Sequence, residues 1–201
     1  MTMKFQTNRK IVFLVGLLLI VGLWLSLLVV NERKNSGEDY QITENQVVDG
    51  WVSFRHPQAG YSFQYPSDWT LEIIETPESV PQIFDDVAIR SKDYTMNREG
   101  IHYLEKGAEF RIKAERAKYP SGKEVLENDM LGNEIATNRK IMNVSGIEAV
   151  QYDYSFESRG VATQFVKNGL LYSVHYKYGG GDSGDVYRDE YLKFLNTLMV
   201  E

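Results

Sequence analysis

Val161-Ala162-Thr163-Gln164-Phe165-Val166-Lys167-Asn168-Gly169-Leu170-Leu171-Tyr172-Ser173-Val174-His175-Tyr176-Lys177-Tyr178 reads as two extended arms joined at Asn168-Gly169. Asn and Gly tolerate positive φ, which a type I′ turn requires at both central positions, so the dipeptide predicts a two-residue β-hairpin. In the second arm Tyr172, Val174 and Tyr176 alternate with Ser173, His175 and Lys177. A period of two places one face on a core and the other in water, as in a half-buried antiparallel strand.

The same pattern recurs on both sides of the hairpin. Val150, Tyr152, Tyr154 and Phe156 alternate with Gln151, Asp153, Ser155 and Glu157; Phe110, Ile112 and Ala114 alternate with Arg111, Lys113 and Glu115. Earlier, Tyr61, Phe63 and Tyr65 alternate with Ser62 and Gln64 until Pro66, and Leu71 and Ile73 repeat the period. Two segments read as helices instead. Ser121-Gly122-Lys123-Glu124 is a capping box leading into Val125, Leu126, Met130 and Leu131. Over 185–198, Tyr187, Tyr191, Phe194, Leu195 and Leu198 form an apolar stripe at helical spacing, with Asp182, Ser183 or Asp185 available as caps. The order predicts an α+β domain: an antiparallel sheet with helices packed on one face.

The chain has 201 residues, 43% hydrophobic and 25% charged, enough for one folded domain. Residues 11–30 contain only Gly16, Gly22 and Ser26 besides large apolar side chains, and no charge. About 20 helical residues span the ~30 Å hydrocarbon core of a bilayer. A cleaved signal peptide usually has a shorter apolar region followed by a small-x-small site, and Leu27-Leu28-Val29-Val30-Asn31-Glu32 supplies none, so an uncleaved anchor is the favoured reading. Lys4, Arg9 and Lys10 before the run outnumber Arg33 and Lys34 after it, which predicts N-terminus inside and domain outside. The expected organisation is a cytoplasmic segment over 1–10, a transmembrane helix over 11–30, a polar linker over 31–50 and an extracytoplasmic domain over 51–201.

Net charge is −6, and the first thirty residues carry three positive charges and no acid, leaving −9 for the rest. So acidic a domain is a poor match for nucleic acid phosphates. The chain lacks cysteine, which excludes disulfides, thiolate nucleophiles and Cys-based metal sites.

The remaining chemistry is sparse. The three histidines, His56, His102 and His175, lack metal-ligand spacing. His175 could meet Asp153 across the sheet as a weak cation site. Asp182 and Asp185 in Gly179-Gly180-Gly181-Asp182-Ser183-Gly184-Asp185 could hold a cation, although the spacing is not that of a calcium loop. The bland alternatives are a surface histidine and a flexible connection. Asp85-Asp86 and Asp189-Glu190 read as solvated charge, because strand or helix geometry turns neighbours apart. Nothing assembles a nucleophile with a base, so no catalytic residue and no cofactor is predicted.

Gly60-Tyr61-Ser62-Phe63-Gln64-Tyr65-Pro66-Ser67-Asp68-Trp69 resembles the opening of PsbP-like domains, in which an aromatic strand ends in Tyr-Pro and a Trp follows. Val144-Ser145-Gly146-Ile147-Glu148-Ala149-Val150-Gln151-Tyr152 is similar to that family's strand after a Gly turn. The hairpin over 161–178 and the helix over 187–198 complete a resemblance spanning 51–200; DcrB-like envelope proteins share the general fold. The resemblance implies an α/β sandwich and often an exported setting. Photosynthetic members of the family are extrinsic subunits that stabilise a manganese cluster, a role no motif here marks, and a shared fold hosts many functions. The resulting expectation is a non-catalytic module on the cell membrane, held in the bilayer by residues 11–30 and binding an envelope protein. The alternative is a small-ligand or cation-binding module.

Overall fold

In a computed structural model the chain divides into two units, 1–39 and 40–201. The structure describes residues 41–77, 84–97, 103–129, 134–155, 159–179 and 186–201. The expected transmembrane helix over 11–30 therefore lies outside the described residues, and among those described no helix is long and apolar enough to cross a membrane.

Three antiparallel sheets are present among the described residues. The largest has seven strands: β4 (Thr70–Ile74), β5 (Asp86–Arg90), β8 (Ala108–Arg116), β9 (Thr137–Val144), β10 (Ile147–Ser155), β11 (Arg159–Lys167) and β12 (Leu170–Tyr178), in the spatial order β4-β5-β8-β12-β11-β10-β9. A second sheet runs β1 (Gln41–Val48), β2 (Trp51–His56), β3 (Tyr61–Pro66) and β13 (Met199–Val200). β6 (Thr95–Asn97) and β7 (Tyr103–Lys106) form a small ribbon. The predicted hairpin joins β11 to β12, with Asn168 and Gly169 at φ 52° and 77° and Lys167 opposite Leu170.

Strand alternation puts Phe110, Ile112, Val161, Phe165, Val174 and Tyr176 on one face of the large sheet. Onto it pack Phe54, Tyr61 and Phe63 of the second sheet and the buried stripe Tyr191, Phe194 and Leu195 of helix α2 (Arg188–Thr197), followed by Leu198. Phe110 is the hub: its ring centroid lies 4.8 Å from that of Trp69, 5.5 Å from those of Tyr176 and Tyr191, and 5.2 Å from that of Phe194. Tyr191 also reaches Thr163, hydroxyl to hydroxyl at 2.8 Å, and Gln151 donates its amide to the same Thr163 oxygen at 2.9 Å. This network satisfies polar groups that burial would otherwise make costly.

Helix α1 (Gly122–Asn128) does not join α2. It packs Leu126 against Ala136, Val150, Tyr152 and Ala162, and Ala162 alternates with Val161 along β11. The two helices therefore cover opposite faces, which corrects the expectation of helices on one face. The cause is β11 itself: every residue from position 160 to 165 is buried, so both faces of this strand need a cover. Ser121 caps α1 as expected, its hydroxyl accepting the Glu124 amide at 3.2 Å. At α2 no side chain caps the first turn; the expected caps Asp182, Ser183 and Asp185 lie outside the described residues.

Two features concern edges, the first of which departs from the expectation. The stretch read as linker over 31–50 contains strand β1, which pairs with β2 through Ile42 opposite Phe54 and Val48 opposite Trp51. Cross-strand pairing overrides its polar composition. On β9, Lys140 lies opposite Gln151 but Thr137 lies opposite Asp153, a bulge at which Asn138 takes φ 50°.

Gly122 sits so close to β11 that a Cβ there would stand 2.2 Å from the Gln164 carbonyl oxygen. Gly122→Ala should push α1 off the sheet and cost about 1–3 kcal/mol of stability, read by denaturant unfolding. A variant as stable as the parent would show that α1 is not seated on β11.

Candidate functional site: the charged face of the large sheet

The face of the large sheet opposite Phe110 changes character from one side to the other. Over β10 and β11 it is apolar and lies under α1. Over β4, β5, β8 and β12 the outward positions are Glu72, Asp86, Arg90, Glu109, Arg111, Lys113, Glu115, Ser173, His175 and Lys177, because each alternates with a core residue. Register places them side by side: Arg90 opposite Glu109, Glu109 opposite Lys177, Arg111 opposite His175 and Lys113 opposite Ser173.

Glu109 is the centre of this lattice. Only 6% of its side chain is exposed, yet it receives Arg90 Nε at 2.9 Å and the Tyr94 hydroxyl at 3.4 Å, and Lys177 Nζ stands 3.7 Å away. Arg90 also pairs with Glu72, and its guanidinium lies 4.8 Å from the centroid of the Tyr94 ring. Burial and the neighbouring Glu109 carboxylate raise the Tyr94 phenol above its usual range. Beside this group Arg111 donates twice to Asp86 Oδ2, at 3.0 and 2.5 Å, and Lys113 pairs with Glu115 at 3.1 Å. Each of the four cations has a carboxylate partner, so the face combines high charge density with little net charge.

His175 occupies the middle of the lattice, its ring 5.7 Å from that of Tyr154. Burial lowers its pKa to about 4, and Lys177, Arg111 and Lys113 push in the same direction. It is neutral at pH 7 and lies in a field that disfavours an additional cation.

The predicted pairing of His175 with Asp153 is not formed. Asp153 is in register with Val161, and Val161 with Tyr176, a core residue; His175 is one position on and points to the other face. Asp153 instead accepts the Asn138 side-chain amide at 2.8 Å. Asp182, Asp185 and His102 lie outside the described residues. Among the described residues no group of three or more His, Asp and Glu side chains could hold a metal ion.

Asp85 and Asp86 are not simply solvated charge. Asp86 is buried against Arg111, and Asp85 Oδ1 accepts the Thr76 amide at 2.8 Å. His56, the last residue of β2, is fully buried: its Nδ1 accepts the Ala59 amide at 3.2 Å and its Nε2 lies 3.3 Å from the Asp85 carbonyl oxygen. The sequence marks Glu109 only as an outward strand position, because its burial depends on β5 and β12, far away in the chain.

Glu109→Gln should cost roughly 2–4 kcal/mol, measured by denaturant unfolding, because Arg90 and Lys177 lose a common, desolvated counter-charge. An unchanged midpoint would show that the pairs contribute nothing. His175 gives a pH signature. Its folded-state pKa of about 4 lies below the ordinary 6.5, so the unfolded chain binds a proton first. Stability is full above about 6.5 and falls as pH drops toward 4. His175→Gln should remove roughly 1–3 kcal/mol of that acid loss in melts between pH 7 and 4; a parental pH slope would contradict it.

No protein-family model matches the chain, and no curated protein matches it significantly. The solution structure of cyanobacterial PsbP (CyanoP) from Synechocystis sp. PCC 6803 aligns over 77% of this chain and 94% of that one, at 12% identity and a TM-score of 0.50. A crystal structure from Bacteroides thetaiotaomicron VPI-5482 aligns over 77% of this chain and 49% of that one, at 16% identity and a TM-score of 0.42. The antiparallel sheets, the two helices and the CyanoP alignment together make the described domain PsbP-like in fold.

Proposed function

We propose that this chain is a membrane-anchored, extracytoplasmic, non-catalytic module that docks an envelope protein through the charged face of its large sheet. The observation that carries the reading is the paired lattice of β5, β8 and β12. Arg90, Arg111, Lys113 and Lys177 keep 29, 33, 38 and 32% of their side chains exposed, so the lattice is anchored in the sheet and open to a partner. Neither helix packs on it among the described residues. Ordered charges of both signs, held in register, favour a partner surface of complementary pattern and give specificity more than raw affinity.

Two features support a non-catalytic role. The carboxylates of the lattice are engaged by cations, and a histidine held to about 4 is a poor general base at neutral pH. The cation-binding alternative loses ground at His175, where Arg111, Lys113 and Lys177 surround the ring. The membrane setting rests on residues 11–30, apolar and uncharged, and the outward orientation on Lys4, Arg9 and Lys10 before them.

A charge swap tests the reading without removing an ion pair. Lys113→Glu with Glu115→Lys keeps the local salt bridge and net charge but inverts the pattern. In crosslinking capture from native membranes, the full chain should recover one stoichiometric protein, and the swap should lower its yield about tenfold. Equal recovery by the swapped chain, or no stoichiometric protein with the parent, would overturn the proposal.

A further inference from the structure

The turn between β2 and β3 hangs on a hydrogen bond that only a neutral imidazole can make. Ala59 donates its amide to His56 Nδ1 at 3.2 Å. That nitrogen is therefore unprotonated, and the proton is on Nε2, which faces the Asp85 carbonyl oxygen at 3.3 Å. The ring is fully buried, 4.9 Å from the Tyr61 ring and edge-on to Phe84 at 6.4 Å. Ala59 is buried too, and its carbonyl accepts the Tyr172 hydroxyl at 2.8 Å. His56 lies on the smaller sheet, Asp85 precedes β5 of the large one, and Tyr172 lies on β12, so this turn bridges the two sheets.

We infer that His56 is an acid-operated clasp: a second proton on its ring turns Nδ1 into a donor facing the Ala59 donor and releases the β2–β3 turn from the large sheet. Two donors cannot share a bond, and a buried amide left without an acceptor is costly. The charged surroundings do not remove this conflict. From the segment before β5, the Asp85 carboxylate favours the protonated ring; from β3 the ring faces the Tyr61 phenol; from β2 itself the neighbouring Arg55 is turned away and paired with Glu201. Burial is the larger influence and lowers the His56 pKa below 6.5, against the raising effect of Asp85. The unfolded chain thus takes the proton first, and the clasp is closed at neutral pH and weakens as pH falls below about 6.5.

Hydrogen exchange on the full chain between pH 7.5 and 5, corrected for intrinsic rates, tests this. Protection over residues 57–61 should fall about tenfold while β8 and β12 hold theirs. His56→Asn offers Ala59 an acceptor that cannot be protonated, so its turn should show no such pH dependence. Imidazole nitrogen NMR of the parent chain decides the matter if that variant does not fold. The Nε2–H tautomer at pH 7.5, with ring charging and Ala59 exposure sharing one midpoint, supports the clasp. Charging of the ring without exposure of Ala59, or protection unchanged down to pH 5, overturns it.

Discussion

The rings of Trp69, Tyr176, Tyr191 and Phe194 converge on Phe110, which β8 delivers to the middle of the large sheet. These rings come from the turn after β3, from β12 and from α2, so distant parts of the chain meet on one side chain. Each such ring buries a large apolar area, and tilted or edge-on pairs add a little beyond that area. Once Phe110 points inward, strand geometry dictates where its neighbours go. Glu109 and Arg111 must point outward, and the strands on either side face the same rule.

The charged face is thus the reverse side of the aromatic core, and the two constrain each other. A one-residue slip of β8 against β12 would put Glu109 among the rings and Phe110 among the ion pairs. The lattice works as a register lock: Arg90, Glu109 and Lys177 meet only when β5, β8 and β12 are correctly aligned. Buried charge pairs are weak evidence for net stability, but they penalise misalignment heavily. A surface so strictly registered presents the same pattern of charges in every copy of the protein, which is the property a recognition face needs.

Local chemistry was readable along the chain, and long-range geometry was not. Asn168-Gly169 declared its turn because positive φ is a property of those two residues alone. Ser121 declared its cap for a similar reason. The second helix-bearing face left a fainter mark: 160–166 carries no charge on either alternate set, which signals a strand covered on both sides. The candidate site was legible only in part. Alternation placed His175 with Ser173 and Lys177, but keeping it apart from Asp153 required the register of β10, β11 and β12. Glu109 carried no local signal because Arg90 and Lys177 are distant along the chain, and the burial of His56 against the Asp85 carbonyl was equally out of reach, although its bond to Ala59 is local.

The bulge in β9 bears on self-association. A sheet edge with free amides and carbonyls is a template for another strand, and long flat edges invite polymerisation. Here one edge is β4, only 5 residues long. The other is β9, interrupted by the left-handed Asn138 and followed by the adjacent cations Arg139 and Lys140. Beyond the interruption only residues 140–144 run in unbroken register with β10. Neither edge of the large sheet therefore offers a flat ladder for templated growth.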